Sequence, residues 1–138
     1  NSSPEKGFCF SKKSLAFTDK IKDFNYKTIY TYKRNLPPRR YFNLVITEIY
    51  NLLKSTYAGS NTLDNLKNLS FTYPKLGNGF IDFIHNYYDF GNRDELKLKN
   101  KVLFSIDNEK DFCKAIIYYI SGMTDNFAIE IYNEIIRL

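Results

Sequence analysis

The chain has 138 residues, of which 43% are apolar, 25% charged and 17% aromatic (Tyr 12, Phe 12, no Trp), a composition that can build a packed core and argues against intrinsic disorder. Lys and Arg total 20 against 15 Asp and Glu, a net +5; the lone histidine, His85, excludes a zinc finger or multi-histidine metal site made from this chain alone. The charge is lopsided: residues 1–60 hold 11 basic and 4 acidic groups, or +7, and residues 61–138 hold 9 and 11, or −2.

Residues 1–10 read as a flexible lead-in to a single helical domain spanning 1–138. From Leu15 through Phe17, Ile21, Phe24 and Ile29 to Tyr30, apolar positions recur mainly at three- and four-residue steps, which predicts an amphipathic helix with Ser11 as its N-cap. That helix must end before Pro37-Pro38, because proline lacks a backbone donor and pushes its predecessor out of the helical region. Phe42, Val45, Ile46, Ile49, Leu52 and Leu53 predict a second helix running to Tyr57, with Gly59 as its stop. The two helices, separated by the proline break, are expected to pack antiparallel.

Residues 58–79 are rich in Asn, Ser, Thr and Gly, so a long central loop is expected there, with a short helix only over Thr62 to Asn68 and a turn at Gly77-Asn78-Gly79. Phe80, Phe83, Ile84, Tyr87 and Tyr88 predict a third long helix ended by Gly91-Asn92. Residues 92–104 alternate weakly and read as either a strand or an extended linker. Asp107 is the expected N-cap of a helix carrying Phe112, Ile116, Ile120 and Met123. Thr124 or Asp125 caps a last helix carrying Phe127, Ile131, Tyr132, Ile135 and Ile136, with Gly122 as the breaker between the two. The fold class is all-α, an irregular bundle of five or six helices.

Chemistry is sparse. Cys9 and Cys113 are too far apart for a CxxC pair; a single disulfide is one reading, and two buried reduced thiols is the preferred one. No run approaches the ~18 apolar residues of a membrane span, and the start lacks a signal pattern, so a cytoplasmic chain is expected. His85 sits near Asp82 and Asp89 on a helix, where a structural role is favoured over catalysis. No nucleophile elbow, P-loop or dinucleotide fingerprint occurs. Asp107, Glu109 and Asp111 lie at a helix start, where the helix dipole accounts for carboxylates without a metal. Lys33, Arg34, Arg39 and Arg40, flanked by Tyr30, Tyr32, Tyr41 and Phe42, form a dense cluster suited either to a solvated turn or to phosphate contact with aromatic stacking.

One segment is more specific. Tyr119-Ile120-Ser121-Gly122-Met123-Thr124-Asp125-Asn126-Phe127-Ala128 resembles the C-terminal signature of the bacterial dGTPase-like HD-domain deoxynucleoside triphosphate triphosphohydrolases, approximately D-Y-[IV]-[AS]-G-M-T-D-x-[FY]-A. Phe10-Ser11-Lys12-Lys13, then Leu15 and Ile21 through Tyr30, resembles the same family's helix ahead of its C-terminal region. The resemblance is specific over 119–128, fair over 10–57 and weak over 58–105. Tyr118 departs from the family's Asp, which puts the role of that position in doubt.

The resemblance implies the C-terminal helical part of a metal-dependent dNTP triphosphohydrolase, a fragment of a longer chain, as the absence of a starting Met also suggests. The family's His…His-Asp…Asp metal set lies N-terminal to everything matched, and His85 is followed by Asn86, so the catalytic HD domain is absent and this chain alone is expected to hold no metal or cofactor and to catalyse nothing. A divalent metal is implied for the parent enzyme. The implied partners are the HD core, further copies in a homo-oligomer and a dNTP, whose phosphates Lys33, Arg34, Arg39 and Arg40 would meet. In the other reading the chain is a stand-alone basic helical module that binds single-stranded nucleic acid and the G-M-T-D match is fortuitous. Neither reading involves a membrane.

Overall fold

The computed structural model describes residues 9–88, 93–94 and 97–137. Among these residues the architecture is all-helical, with six α-helices: α1 (Lys12–Asn25), α2 (Leu36–Lys54), α3 (Thr62–Thr72), α4 (Pro74–Tyr87), α5 (Glu109–Ser121) and α6 (Asp125–Ile136). The chain divides into two compact units, residues 1–42 and 43–138.

In the first unit, Ser11 caps α1 by accepting the Ser14 amide at 3.1 Å. The helix then loosens into a π-helical turn at Tyr26–Tyr30, closed by the Thr31 N–H on the Tyr26 carbonyl at 3.0 Å. The Thr28 and Thr31 hydroxyls donate back to the carbonyls of Phe24 and Lys27, a pattern that bends and widens helices. None of the described residues of 9–42 is buried. α1 itself contributes no buried residue.

The proline pair starts a helix rather than merely separating two. A short 3₁₀ turn at Lys33–Asn35 leads into α2, which places Pro37 and Pro38 in its first turn, where a missing N–H costs no intrahelical bond. The short helix expected from Thr62 is present as α3, but most of the loop expected over the rest of 58–79 is helical. After Gly59, whose φ of +58° makes the turn, α3 runs to Thr72 and α4 begins at Pro74. Gly77 lies within α4 where it passes close to α3: a Cβ there would sit 2.6 Å from the Ser70 Cα. The described residues between α4 and α5 form no helix or strand. Gly91-Asn92, the expected stop of α4, lies outside the described residues, as do residues 1–8 of the expected lead-in and Asp89.

The core of the second unit is one apolar cluster. Val45, Ile49 and Leu53 of α2 meet Leu66 of α3, Leu76, Phe80 and Ile84 of α4, Phe112, Ala115 and Ile116 of α5, and Ala128 and Ile131 of α6. Phe104 and Ile106 from the connecting segment join it, and Arg93 ties that segment down by donating to the carbonyls of Asn86, Tyr88 and Asn100. The N-cap of α5 is Asn108, not Asp107: its side-chain oxygen accepts from the Lys110 and Asp111 amides at 3.0 and 3.2 Å. Asp107 instead takes the Tyr57 hydroxyl on its backbone carbonyl at 2.9 Å.

Candidate functional site

In the first unit, Lys33 and Arg34 lie in the 3₁₀ turn and Arg39 and Arg40 in the opening turns of α2, all exposed. Asn35, which sequence reading passed over, shapes the turn: its side-chain amide donates to the Ile29 carbonyl at 2.6 Å and its backbone N–H to the Tyr32 carbonyl at 2.8 Å. Tyr30 and Tyr32 are exposed beside the cluster, and Tyr41 stacks edge-on against Phe42 with ring centroids 5.6 Å apart. Because Pro37 and Pro38 remove two of the free N–H groups at the start of α2, this helix end offers an anion little backbone donation. Any phosphate held here is held by side chains.

In the second unit, the Tyr119–Ala128 segment forms the end of α5, a two-residue break and the start of α6. Thr124, not Asp125, is the cap: its hydroxyl accepts the Phe127 amide at 3.2 Å. Asp125 occupies the first turn, where its charge complements the helix dipole. Gly122 ends α5 with φ −86° and ψ −6°, so the bend does not use the left-handed backbone open mainly to glycine. Gly122, Thr124 and Asp125 are exposed, Met123 and Phe127 half-buried, and Ala128 buried.

Tyr119 is the inward anchor of the segment. Its ring packs on Phe80 and Phe83, with centroids 5.2 and 5.5 Å away. Its hydroxyl is buried without a hydrogen-bond partner, and it fits because position 79 has no side chain: a Cβ on Gly79 would lie 2.5 Å from that oxygen. Burial, with the Asp82 and Glu134 carboxylates nearby, pushes the phenol up to about 12. Gly77-Asn78-Gly79 is therefore no turn; one glycine admits α3 and the other admits Tyr119. Glu134 was also missed: its carboxylate on α6 accepts the Lys75 and Leu76 amides of α4 at 2.9 and 3.0 Å. It caps α4 from 58 residues away, a link no local pattern shows.

Beside the motif, Ile46, Thr47 and Tyr50 of α2 and Ile117, Ile120 and Ser121 of α5 line an open, mainly apolar groove of about 410 Å³. Tyr50 shares a hydrogen bond with Cys113, which with partial burial raises its phenol above the usual value. The thiols are not the buried pair expected: Cys9 is exposed, Cys113 half-buried, and no disulfide joins them.

The other titratable groups do not converge on a site. His85 and Asp82 are both exposed on α4. Asp111 pairs with Lys114 at 3.1 Å, and the Asp107 carboxylate takes the Tyr88 hydroxyl at 3.4 Å. Among the described residues no group of three or more His, Cys, Asp and Glu side chains is arranged to hold a metal ion. Among those residues, too, no helix is long and apolar enough to cross a membrane.

No protein-family model, no curated protein and no solved structure matches the chain.

Proposed function

We propose that this chain is the C-terminal helical part of a metal-dependent dNTP triphosphohydrolase of the dGTPase-like HD class, which packs on the HD core and helps form the nucleotide pocket or the oligomer interface. The observation that carries the reading is the Tyr119–Ala128 segment, whose sequence resemblance coincides with a defined structural unit. Tyr119 anchors it in the aromatic core, Thr124 caps the helix that follows, and its Ile120 and Ser121 help line an open apolar groove. Ile46 and Ile117 of that groove and the neighbouring Tyr118 are 44, 55 and 59% exposed, more apolar surface than an isolated bundle gains by leaving in water. The HD core is the surface proposed to cover it.

In this role the chain supplies shape and phosphate contact rather than bond cleavage. The metal and its activated water belong to the HD core, while Lys33, Arg34, Arg39 and Arg40 supply cations for substrate or effector phosphates. The decisive sequence observation is the reading frame ahead of Asn1, where a His, a His-Asp pair and a later Asp are expected. The decisive assay compares the whole protein with the 138-residue chain, given each dNTP and Mg²⁺ or Mn²⁺. Tripolyphosphate and deoxynucleoside should come from the whole protein alone; hydrolysis by a clean preparation of the short chain, or none by the whole protein, would sink the proposal.

A further inference from the structure

The charge asymmetry and most of the exposed aromatics fall in the same unit. Residues 1–42 carry 10 Lys and Arg against 3 Asp and Glu, a net +7, and Phe10, Phe17, Phe24, Tyr26, Tyr30 and Tyr32 are all between 58 and 68% exposed. Along α1 these groups are arranged in order. Lys13, Phe17, Lys20 and Phe24 follow at steps of four, three and four, which brings them onto one narrow face at 3.6 residues per turn. The face therefore alternates cation, ring, cation, ring.

Between the two lysines, Ala16 leaves a depression of about 270 Å³ with Phe17 as its wall and Lys13 and Lys20 on its sides. Neither lysine is in an ion pair with a described residue. Lys27, the next step along, lies 3.8 Å from Asp23 and is partly neutralised.

A helix face made for a protein core or an acyl layer is continuously apolar. This one is interrupted by an ammonium at every second position, so it fits a polymer in which anions and flat rings alternate. We infer that this face of α1 binds single-stranded nucleic acid, with backbone phosphates at Lys13 and Lys20 and bases stacked on Phe17 and Phe24. The seven residue steps from one ring to the other rise about 10.5 Å along the helix. Bases in a duplex are stacked on one another and cannot use the rings, so the site selects single strands. Arg34, Arg39 and Arg40 add exposed positive charge in the same unit.

The test is fluorescence anisotropy of the full 138-residue chain with a labelled oligothymidylate of about 20 nucleotides, repeated over a range of salt. Replacing Lys13→Gln and Lys20→Gln together should weaken binding about tenfold and lower the slope of log affinity on log salt by about 1.4, the counterions of two phosphates. Phe17→Ala should weaken it about tenfold with the slope unchanged. All three side chains are exposed, so circular dichroism of the variants should match the parent; if Phe17→Ala unwinds α1, Phe17→Leu keeps an apolar residue while removing the stacking ring. Wild-type affinity in the lysine pair, wild-type affinity in both Phe17 variants, equal binding of a duplex, or tighter binding to phosphatidylserine vesicles than to the oligonucleotide would each overturn the inference. None of these readouts involves dNTP hydrolysis, so they stand or fall apart from the enzyme reading.

Discussion

Gly77→Ala should destabilise the second unit strongly, although alanine is the better helix former. Inside α4 the exchange gains about 0.8–1.0 kcal/mol of helix propensity. Against that, the new Cβ would stand 2.6 Å from the Ser70 Cα, 2.7 Å from its Cβ and 2.8 Å from its backbone nitrogen, where carbon atoms pack best at about 3.5–4.0 Å. Two of the three obstacles are backbone, so no rotamer change relieves the overlap; α3 and α4 must move apart by about 1 Å along their crossing. Overpacking of this kind costs about 1–3 kcal/mol, and an overlap with backbone falls at or above the upper end. The net loss is about 2 kcal/mol, or about 10 °C in melting temperature for a unit of this size. Gly122→Ala is the matched control: its Cβ would meet only the Tyr118 and Tyr119 carbonyl oxygens, both at 3.6 Å, and φ is −86°. Its melting temperature by far-UV circular dichroism should stay level or rise slightly. A Gly77→Ala protein that melts at or above wild type, or a Gly122→Ala protein that loses more than Gly77→Ala, would refute the reasoning.

Thr124→Ala removes the α6 cap and should cost about 1 kcal/mol, whereas Asp125→Ala, which loses only a dipole contact, should cost about half as much; equal losses in melting temperature would contradict this division of roles. Glu134→Ala frees two amides at the start of α4 and should cost about 1–2 kcal/mol, with faster hydrogen exchange at Lys75 and Leu76 as its local sign. Tyr119→Phe deletes a buried hydroxyl that has no partner, so chemical denaturation should show stability held or raised; a clear loss would mean the hydroxyl has a partner in solution. The Tyr119 phenol is raised to about 12 in the folded state, so above pH 10 the unfolded chain releases this proton more readily. Its contribution to stability is complete below about pH 10 and is lost as pH rises towards 12. Tyr119→Phe should make the alkaline decline shallower.

Helix periodicity was legible wherever apolar residues repeat densely, as in α2, α5 and α6, because burial on one face selects those positions. It failed over 58–79 because Asn, Ser and Gly are local signs of loops, and there tertiary packing overrides them. Gly77 and Gly79 lie in a helix for the space they leave to Ser70 and Tyr119, partners 7 and 40 residues distant. Asn108 won the α5 cap from its neighbour Asp107 by one position, a margin that composition does not resolve. The basic cluster at Lys33, Arg34, Arg39 and Arg40 was visible as composition. The alternating face of α1 was overlooked, since a search for apolar periodicity counts Phe17 and Phe24 and ignores the lysines between them. Glu134 left no signal, as a cap supplied by a distant helix leaves no mark near the helix it caps.

The two units obtain their order from different sources, and exchange kinetics should separate them. The second unit is held by a shared core in which Phe80, Phe112, Ile116 and Ile131 are fully buried; its central amides can exchange only through global opening. In the first unit α1 has 14 residues and buries none of them, close to the length at which an isolated helix is marginal in water. Its hydrogen bonds are therefore supported by the Ser11 cap and little else. Amides of α1 should exchange orders of magnitude faster than those of α4 and α5, and a ligand spanning Lys13 to Phe24 should slow them, because it binds the helical form and not the unwound one. Protection of α1 equal to that of α4 in the unliganded chain would show that a buried partner already covers its face.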